Sequence, residues 1–295
     1  SLVRRVERGA GLERGRLCPD SVARLYGRKV PMSASRMDKY RSCHFSYFMQ
    51  FGLRAKPRQT AGFQAPEYGT FVHYVLEHML RDTTWKVEDG SGGWTWDKGA
   101  VRRQIKAIME DYIARELGGL ENKTPRFVYL FHRLIRPVTQ VVENVLEELS
   151  VSQFQPISFE LGFGEKGDLP PVELTVDGVT VSVSGFVDRV DGWVRDGRLY
   201  LRVVDYKTGR KSFDLTEVWN GLGLQMLLYL FTLEEEGEAL YHYAITPAGV
   251  LYLPARAAVA KGSRGMTEEE RRKQTDAELR RHGLLLDDPE VLEAM

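Results

Sequence analysis

Val179-Thr180-Val181-Ser182-Val183-Ser184-Gly185-Phe186-Val187-Asp188-Arg189-Val190-Asp191-Gly192-Trp193 runs into the turn pair Asp196-Gly197. The chain leaves that turn through Arg198-Leu199-Tyr200-Leu201-Arg202-Val203-Val204-Asp205-Tyr206-Lys207-Thr208-Gly209. Apolar and polar residues alternate with a period of two, valine is frequent, and an Asp-Gly turn separates the runs. This is the pattern of a β-hairpin with strands at 179–193 and 198–206. The alternation extends upstream through 157–164 and 171–176, punctuated by Gly167-Asp168 and Asp177-Gly178. The expectation is an antiparallel meander.

Before about Gln155 the period is helical. Ser33 and Ser35 precede Met37, Tyr40, Phe45, Tyr47 and Phe48, so a serine cap can open a helix running to about Gln50. Gly69-Thr70-Phe71-Val72-His73-Tyr74-Val75-Leu76-Glu77-His78-Met79-Leu80 places Val72, Leu76, Met79 and Leu80 on one helical face, with His73 and Glu77 beside it. Residues 86–95, rich in Gly and Ser, read as a surface loop. Helices follow at 97–117 and 125–150, and Pro137 should kink or divide the second. After the meander come a helix at 214–234, short strands at 239–246 and 249–253, and a charged helix at 267–282. The fold class is therefore α/β, a mixed sheet with an antiparallel meander flanked by helices, plus an N-terminal helical portion. The expected organisation is a basic arm or linker over 1–32 and one domain over 33–295. Within the domain, 33–152 is mainly helical, 153–260 is the α/β core, and 261–295 holds the last helix and tail.

A chain of 295 residues can bury a sizeable core, and 43% hydrophobic with 28% charged residues is ordinary globular composition. No run approaches the ~20 apolar residues of a membrane span, so no membrane partner is expected and a cytoplasmic setting follows by default. Cys18 and Cys43 are the only cysteines, too few for a disulfide scaffold or for a zinc or iron-sulfur site made by this chain alone. The formal net charge is zero, so any DNA-binding surface must be local. One candidate lies in residues 1–29, where Arg4, Arg5, Arg8, Arg14, Arg16, Arg24, Arg28 and Lys29 face only Glu7, Glu13 and Asp20. A solvated arm is the preferred reading of it. The chain begins at Ser1 and reads as a piece of something longer.

Two segments place a carboxylate where an apolar strand ends. Asp188 sits among Phe186, Val187 and Val190; Asp205 and Lys207, two apart, project from one face of their strand. A lone D-x-K is readily a surface ion pair. In a hairpin, though, Asp188 and Asp205 approach closely enough to share a cation, and two close carboxylates repel unless a proton or metal separates them. A hard ion such as Mg2+ suits such a pair and keeps waters, one of which can become a nucleophile. Lys207 would then stabilise charge developing on a scissile phosphate. His73 beside a helix core is open between a structural role and a third ligand, which would admit Mn2+ as well. Gln225 and Tyr229, one turn apart on a leucine-rich helix, read equally as helix surface or site.

These residues resemble the RecB-like branch of the PD-(D/E)XK nuclease superfamily, and most closely the carboxy-terminal nuclease domain of AddB-type subunits of ATP-dependent helicase-nucleases. Leu25-Tyr26-Gly27, Ser33-Ala34-Ser35-Arg36, Tyr40, Cys43-His44-Phe45-Ser46-Tyr47-Phe48 and Phe51-Gly52-Leu53 look like the family's opening segment. Gly69 to His73 looks like its G-x-x-x-H motif, and Gly185 to Asp191 like its G-x-x-D-R-x-D strand. Asp205 to Gly209 and Gln225 to Tyr229 match D-Y-K-T-G and Q-x-x-x-Y. Five matches in the family's order are specific where each alone is modest.

The resemblance implies a restriction-endonuclease-like core and a Mg2+- or Mn2+-dependent deoxyribonuclease. His73, Asp188, Asp205 and the Tyr206 backbone carbonyl would be the metal ligands, Lys207 the catalytic lysine, and Gln225 and Tyr229 the DNA-facing side. It further implies a parent that pairs with an AddA-type helicase-nuclease subunit and processes double-strand DNA ends for recombinational repair. Relatives hold a [4Fe-4S] cluster with one cysteine before the nuclease core and three after it. Cys43 matches the first, although the family's Cys-Pro-Phe is Cys43-His44-Phe45 here. Nothing before Met295 matches the other three, so the cluster is expected in the parent and not in this piece. The alternatives are a catalytically silent DNA-binding or docking module of the same fold, or a stand-alone exonuclease of the phage or CRISPR-associated type.

Overall fold

The computed structural model describes residues 16–56, 65–90, 92–121, 123–209, 212–256, 258 and 265–295. The first part of the expected basic arm, residues 1–15, lies outside them. The remainder of that segment forms helix α1, Pro19–Tyr26, and strand β1, Lys29–Met32. Ser33 then caps α2, Ala34–Ser42, by accepting the Arg36 N–H at 3.3 Å. The helix expected to reach Gln50 breaks at Cys43, whose extended backbone (φ −162°) starts a new cap. Its Sγ accepts the Ser46 N–H of α3, His44–Tyr47, which passes into a π-turn at Phe48–Gly52.

Helix α4, Ala65–Arg81, carries the amphipathic stretch that includes His73. Residues 86–95 are not simply loop: β2, Lys86–Glu88, and β3, Trp94–Trp96, pair antiparallel. Trp85, buried and donating Nε1–H to the Met79 carbonyl at 2.8 Å, anchors this hairpin to α4. Helix α5, Lys98–Glu116, is followed by α6, Pro125–His132, and α7, Ile135–Val151. The expected division thus falls just before Pro137, in the first turn of α7, where a missing N–H leaves no helical bond unmade.

The strands are β4, Gln155–Phe163; β5, Val172–Val176; β6, Val179–Val183; β7, Gly185–Arg195; and β8, Arg198–Lys207. Beyond them come α8, Leu215–Trp219; α9, Gln225–Tyr241; β9, Ala244–Pro254; α10, Glu268–Glu278; β10, His282–Leu285; and α11, Pro289–Ala294. The single meander is two sheets. Strands β1, β6 and β5 form a small one, and the main sheet has the order β10-β9-β8-β7-β4. The strand expected over 179–193 divides at Ser184, so β6 pairs with β5 and β1 while β7 pairs with β4 and β8. The two short strands expected at 239–246 and 249–253 are one, because α9 runs on to Tyr241. Strand β9 passes Pro247 through a register shift against β8, the place in a ladder that tolerates a residue without an N–H. Since β9 lies parallel to β8, the main sheet is mixed.

Both faces of the main sheet are covered. Val204, Tyr206, Leu251 and Leu253 pack on Phe71, Val72, Val75, Leu76 and Met79 of α4 and on α5 to α7. Leu199, Leu201, Val203 and Val250 face Met226, Tyr229, Leu230 and Leu233 of α9. Neighbouring residues of β8 thus point into opposite cores, as a strand in the centre of a covered sheet requires. Asp205 and Lys207 continue the α9-facing row of Leu199, Leu201 and Val203.

Candidate active site

The site forms where the β7–β8 ladder ends and the β4–β7 ladder is interrupted. The ladder of β7 with β8 runs from Arg195↔Arg198 to Arg189↔Val204, so Asp188 and Asp205 are the next residues, opposite each other just past its end. On the other side, β4 pairs with β7 at Phe159↔Arg189 and again at Leu161↔Val187, omitting Glu160 and Asp188. Glu160 has φ +48°, a left-handed conformation rare for a residue with a Cβ. A locally irregular ladder releases side chains from the strict up-down alternation, and here it gathers carboxylates.

His73 reaches this gap from α4. Its Nε2 lies 3.1 Å from the Tyr206 carbonyl oxygen, and its Nδ1 lies 3.4 Å from Asp188 Oδ1. A carbonyl only accepts hydrogen bonds, so Nε2 carries the proton. In the neutral ring Nδ1 is then a lone pair facing a carboxylate oxygen, and that contact requires a proton or a metal ion between them. Asp188 is fixed from its other side, where Oδ2 accepts the Tyr206 N–H at 2.6 Å. The Tyr206 peptide therefore holds both groups, and its ring meets the imidazole edge-on, 5.4 Å between centroids.

His73, Glu160 and Asp188 each place one ligand atom within 4.8 Å of the others. Asp205 stands outside this trio, with Oδ2 paired to Lys207 Nζ. The electrostatics follow from crowding. Burial, with Asp188 second, pushes the Glu160 carboxyl up to about 7. Burial and Asp188 likewise raise Asp205, against the pull of Lys207. Burial opposes a charged His73, but the hydrogen bond and field of Asp188, with Glu160 and Asp205, raise it overall. Oxygen donors with one imidazole, mutually repelling without a cation, fit a hard or borderline divalent ion.

The sequence pattern of the PD-(D/E)XK nuclease superfamily matches residues 31–293. The chain belongs to this superfamily. It is also 36% identical over 278 residues to the B-type subunit of an ATP-dependent helicase/deoxyribonuclease from Acetivibrio thermocellus, covering 94% of this chain and 24% of that protein. The corresponding proteins of Clostridium acetobutylicum and Caldanaerobacter subterraneus subsp. tengcongensis are each 32% identical, over 94% and 95% of this chain and 24% of their own length. The chain thus spans about a quarter of the relatives it matches.

Within this PD-(D/E)XK chain, the expected residues divide. His73, Asp188, Asp205 and Lys207 meet at the ladder ends. The Tyr206 carbonyl, expected as a ligand, faces His73 Nε2 instead. Gln225 donates weakly to the Tyr229 hydroxyl at 3.5 Å. Tyr229 is only 4% exposed, stacks on Phe163 and presses its hydroxyl against the start of β7, so it shapes the site's wall. Cys43 is exposed at the cap of α3. Glu160 was missed. In Ile157-Ser158-Phe159-Glu160-Leu161 an acid at the polar phase of an alternating strand looks like any solvent-facing residue. In the sequence Arg189 and Asp191 stand out only as members of the G-x-x-D-R-x-D strand and Arg202 not at all, yet all three are fully or almost fully buried.

Proposed function

We propose that the chain is the metal-dependent deoxyribonuclease domain of a helicase/deoxyribonuclease B-type subunit, cutting DNA strands during double-strand-break processing in partnership with an AddA-type subunit. The observation that carries this reading is the His73 Nδ1 to Asp188 Oδ1 contact, with both groups committed on their far sides to the Tyr206 peptide. His73, Asp188 and Glu160 would hold a Mg2+ or Mn2+ ion, with Asp205 turning from Lys207 to join them. A divalent ion bound there supplies an activated water and neutralises charge on a phosphodiester. The Tyr206 N–H orients Asp188, and the Tyr206 carbonyl fixes the tautomer of His73 so that Nδ1 points inward. Lys207, released from Asp205, places a positive charge beside the scissile phosphate, where negative charge grows as water attacks phosphorus and the bridging P–O bond breaks. The Asp205–Lys207 pair, opposite Asp188 at the ladder end, favours this reading over a silent docking module.

The test measures cleavage and metal binding separately. Linear single-stranded DNA should be degraded with Mg2+ or Mn2+ and not with EDTA. Lys207→Met should lower cleavage by about 10²–10³-fold, the range for losing one preorganised charge donor, while Mn2+ affinity changes little. Asp188→Asn should lose both. DNA binding without metal-stimulated cleavage by the unmodified protein would establish the docking module instead.

A further inference from the structure

Behind the site lies a lattice of buried charge. Arg189, the neighbour of Asp188 in sequence, is 0% exposed, as is Asp191. Arg189 Nη2 donates to Asp191 Oδ2 at 2.9 Å, and its Nε stands 2.7 Å from Oδ1 as an ion contact that is not aligned as a hydrogen bond. Arg202 Nε shares Asp191 Oδ2 at 2.8 Å, and its Nη2 reaches Glu148 Oε1 on α7 at 2.8 Å. Arg281, just before β10, closes on Glu148 Oε2 through Nε at 2.8 Å and Nη2 at 2.7 Å. Three cations therefore surround two carboxylates, and the lattice ties β7, β8, α7 and the chain before β10 together.

A buried ion lattice is a poor way to gain stability alone, since apolar residues of similar volume do as well or better. Its placement points to another role. Arg189 Cζ stands over the Tyr206 ring, 5.8 Å from its centroid. Tyr206 is the residue whose N–H holds Asp188 and whose carbonyl holds His73. Both strands have left their ladder at this point, so no neighbouring strand fixes the Tyr206 peptide from the β7 side.

We propose that Arg189 is a positioning residue of the metal centre: locked by Asp191, it sets the Tyr206 peptide that aims Asp188 and His73 at one ion. This rests on the nuclease reading above. The guanidinium is a rigid planar fork held against one carboxylate by a hydrogen bond from Nη2 and an ion contact at Nε, and a lysine could not reproduce that constraint. The lattice thus transmits the rigidity of α7 and β8 to two ligands it does not touch.

The test uses Arg189→Met/Asp191→Asn, which removes both members of the pair and leaves no lone buried charge, beside Arg189→Lys and the core control Val145→Ala. Val145 is fully buried on α7 and absent from the lattice. Fold is checked by circular dichroism and thermal melting, Mn2+ affinity by electron paramagnetic resonance titration, and the imidazole bond by nitrogen hyperfine coupling to Mn2+. The double variant should bind Mn2+ about 10–100-fold more weakly, the range for partners that orient metal ligands, with the coupling diminished. Arg189→Lys should fall between it and the unmodified protein. Val145→Ala should lower the melting temperature and leave Mn2+ affinity unchanged. If the double variant or, should that not fold, Arg189→Lys binds Mn2+ within about twofold of the unmodified protein, the positioning role is wrong and the nuclease reading stands. If the unmodified protein binds no Mn2+, or Asp188→Asn binds it equally well, both fall.

Discussion

Glu160 shows how backbone and chemistry meet at one residue. Its left-handed φ costs on the order of 1 kcal/mol, and its carboxyl is held near Asp188 and pushed up to about 7. A carboxyl whose folded pKa lies above its ordinary value contributes stability below about pH 4.5. That contribution is lost as pH rises through about 7. Without metal, Glu160→Gln should therefore melt at a higher temperature than the unmodified protein at pH 8 and at nearly the same temperature at pH 5. Melting scans in EDTA at the two pH values decide it, and equal shifts at both would remove Glu160 from the repelling cluster. Asp205 and Lys207 were legible in the sequence because an i, i+2 pair on a strand must share a face. Glu160 was not, because nothing in Phe159-Glu160-Leu161 announces a positive φ.

A glycine at the start of β7 lets α9 sit close against the strand. A Cβ at Gly185 would overlap the Tyr229 hydroxyl, so the close seat of α9 on this strand depends on the bare backbone. Gly185→Val should drive Tyr229 off its stack with Phe163, whose ring lies 5.2 Å away. Urea unfolding should show a loss of about 1–3 kcal/mol, the usual cost of overpacking, and cleavage should fall as Asp188 shifts. Retained stability would mean that α9 can slide without disturbing the strand. Helix α4 and the division before Pro137 were readable from periodicity and proline chemistry. The break at Cys43 was not, because the tyrosines and phenylalanines on either side keep the helical period while the cap interrupts it.

The alternation of 157–206 correctly announced a sheet, but alternation carries no information about which strand pairs with which. The division into two sheets and the parallel placement of β9 are long-range pairings that a local period does not specify. The same long-range assembly places the ligands: His73 belongs to the helical layer, whereas Asp188, Asp205 and Glu160 belong to the sheet. A metal ion held by both would bridge the layers only in the folded state. Ligand binding to the folded state alone adds about 2.7 kcal/mol when the free ligand stands at 100 times its dissociation constant. Mg2+ at that excess should raise the unfolding free energy by this amount at pH 8. At pH 5 the gain should shrink, because protons on Glu160 and His73, both raised, compete with the ion. His73→Ala should abolish most of it by removing the link to α4. Denaturant unfolding at fixed Mg2+ measures all three, and a gain that survives in His73→Ala would mean that the ion rests on the sheet alone.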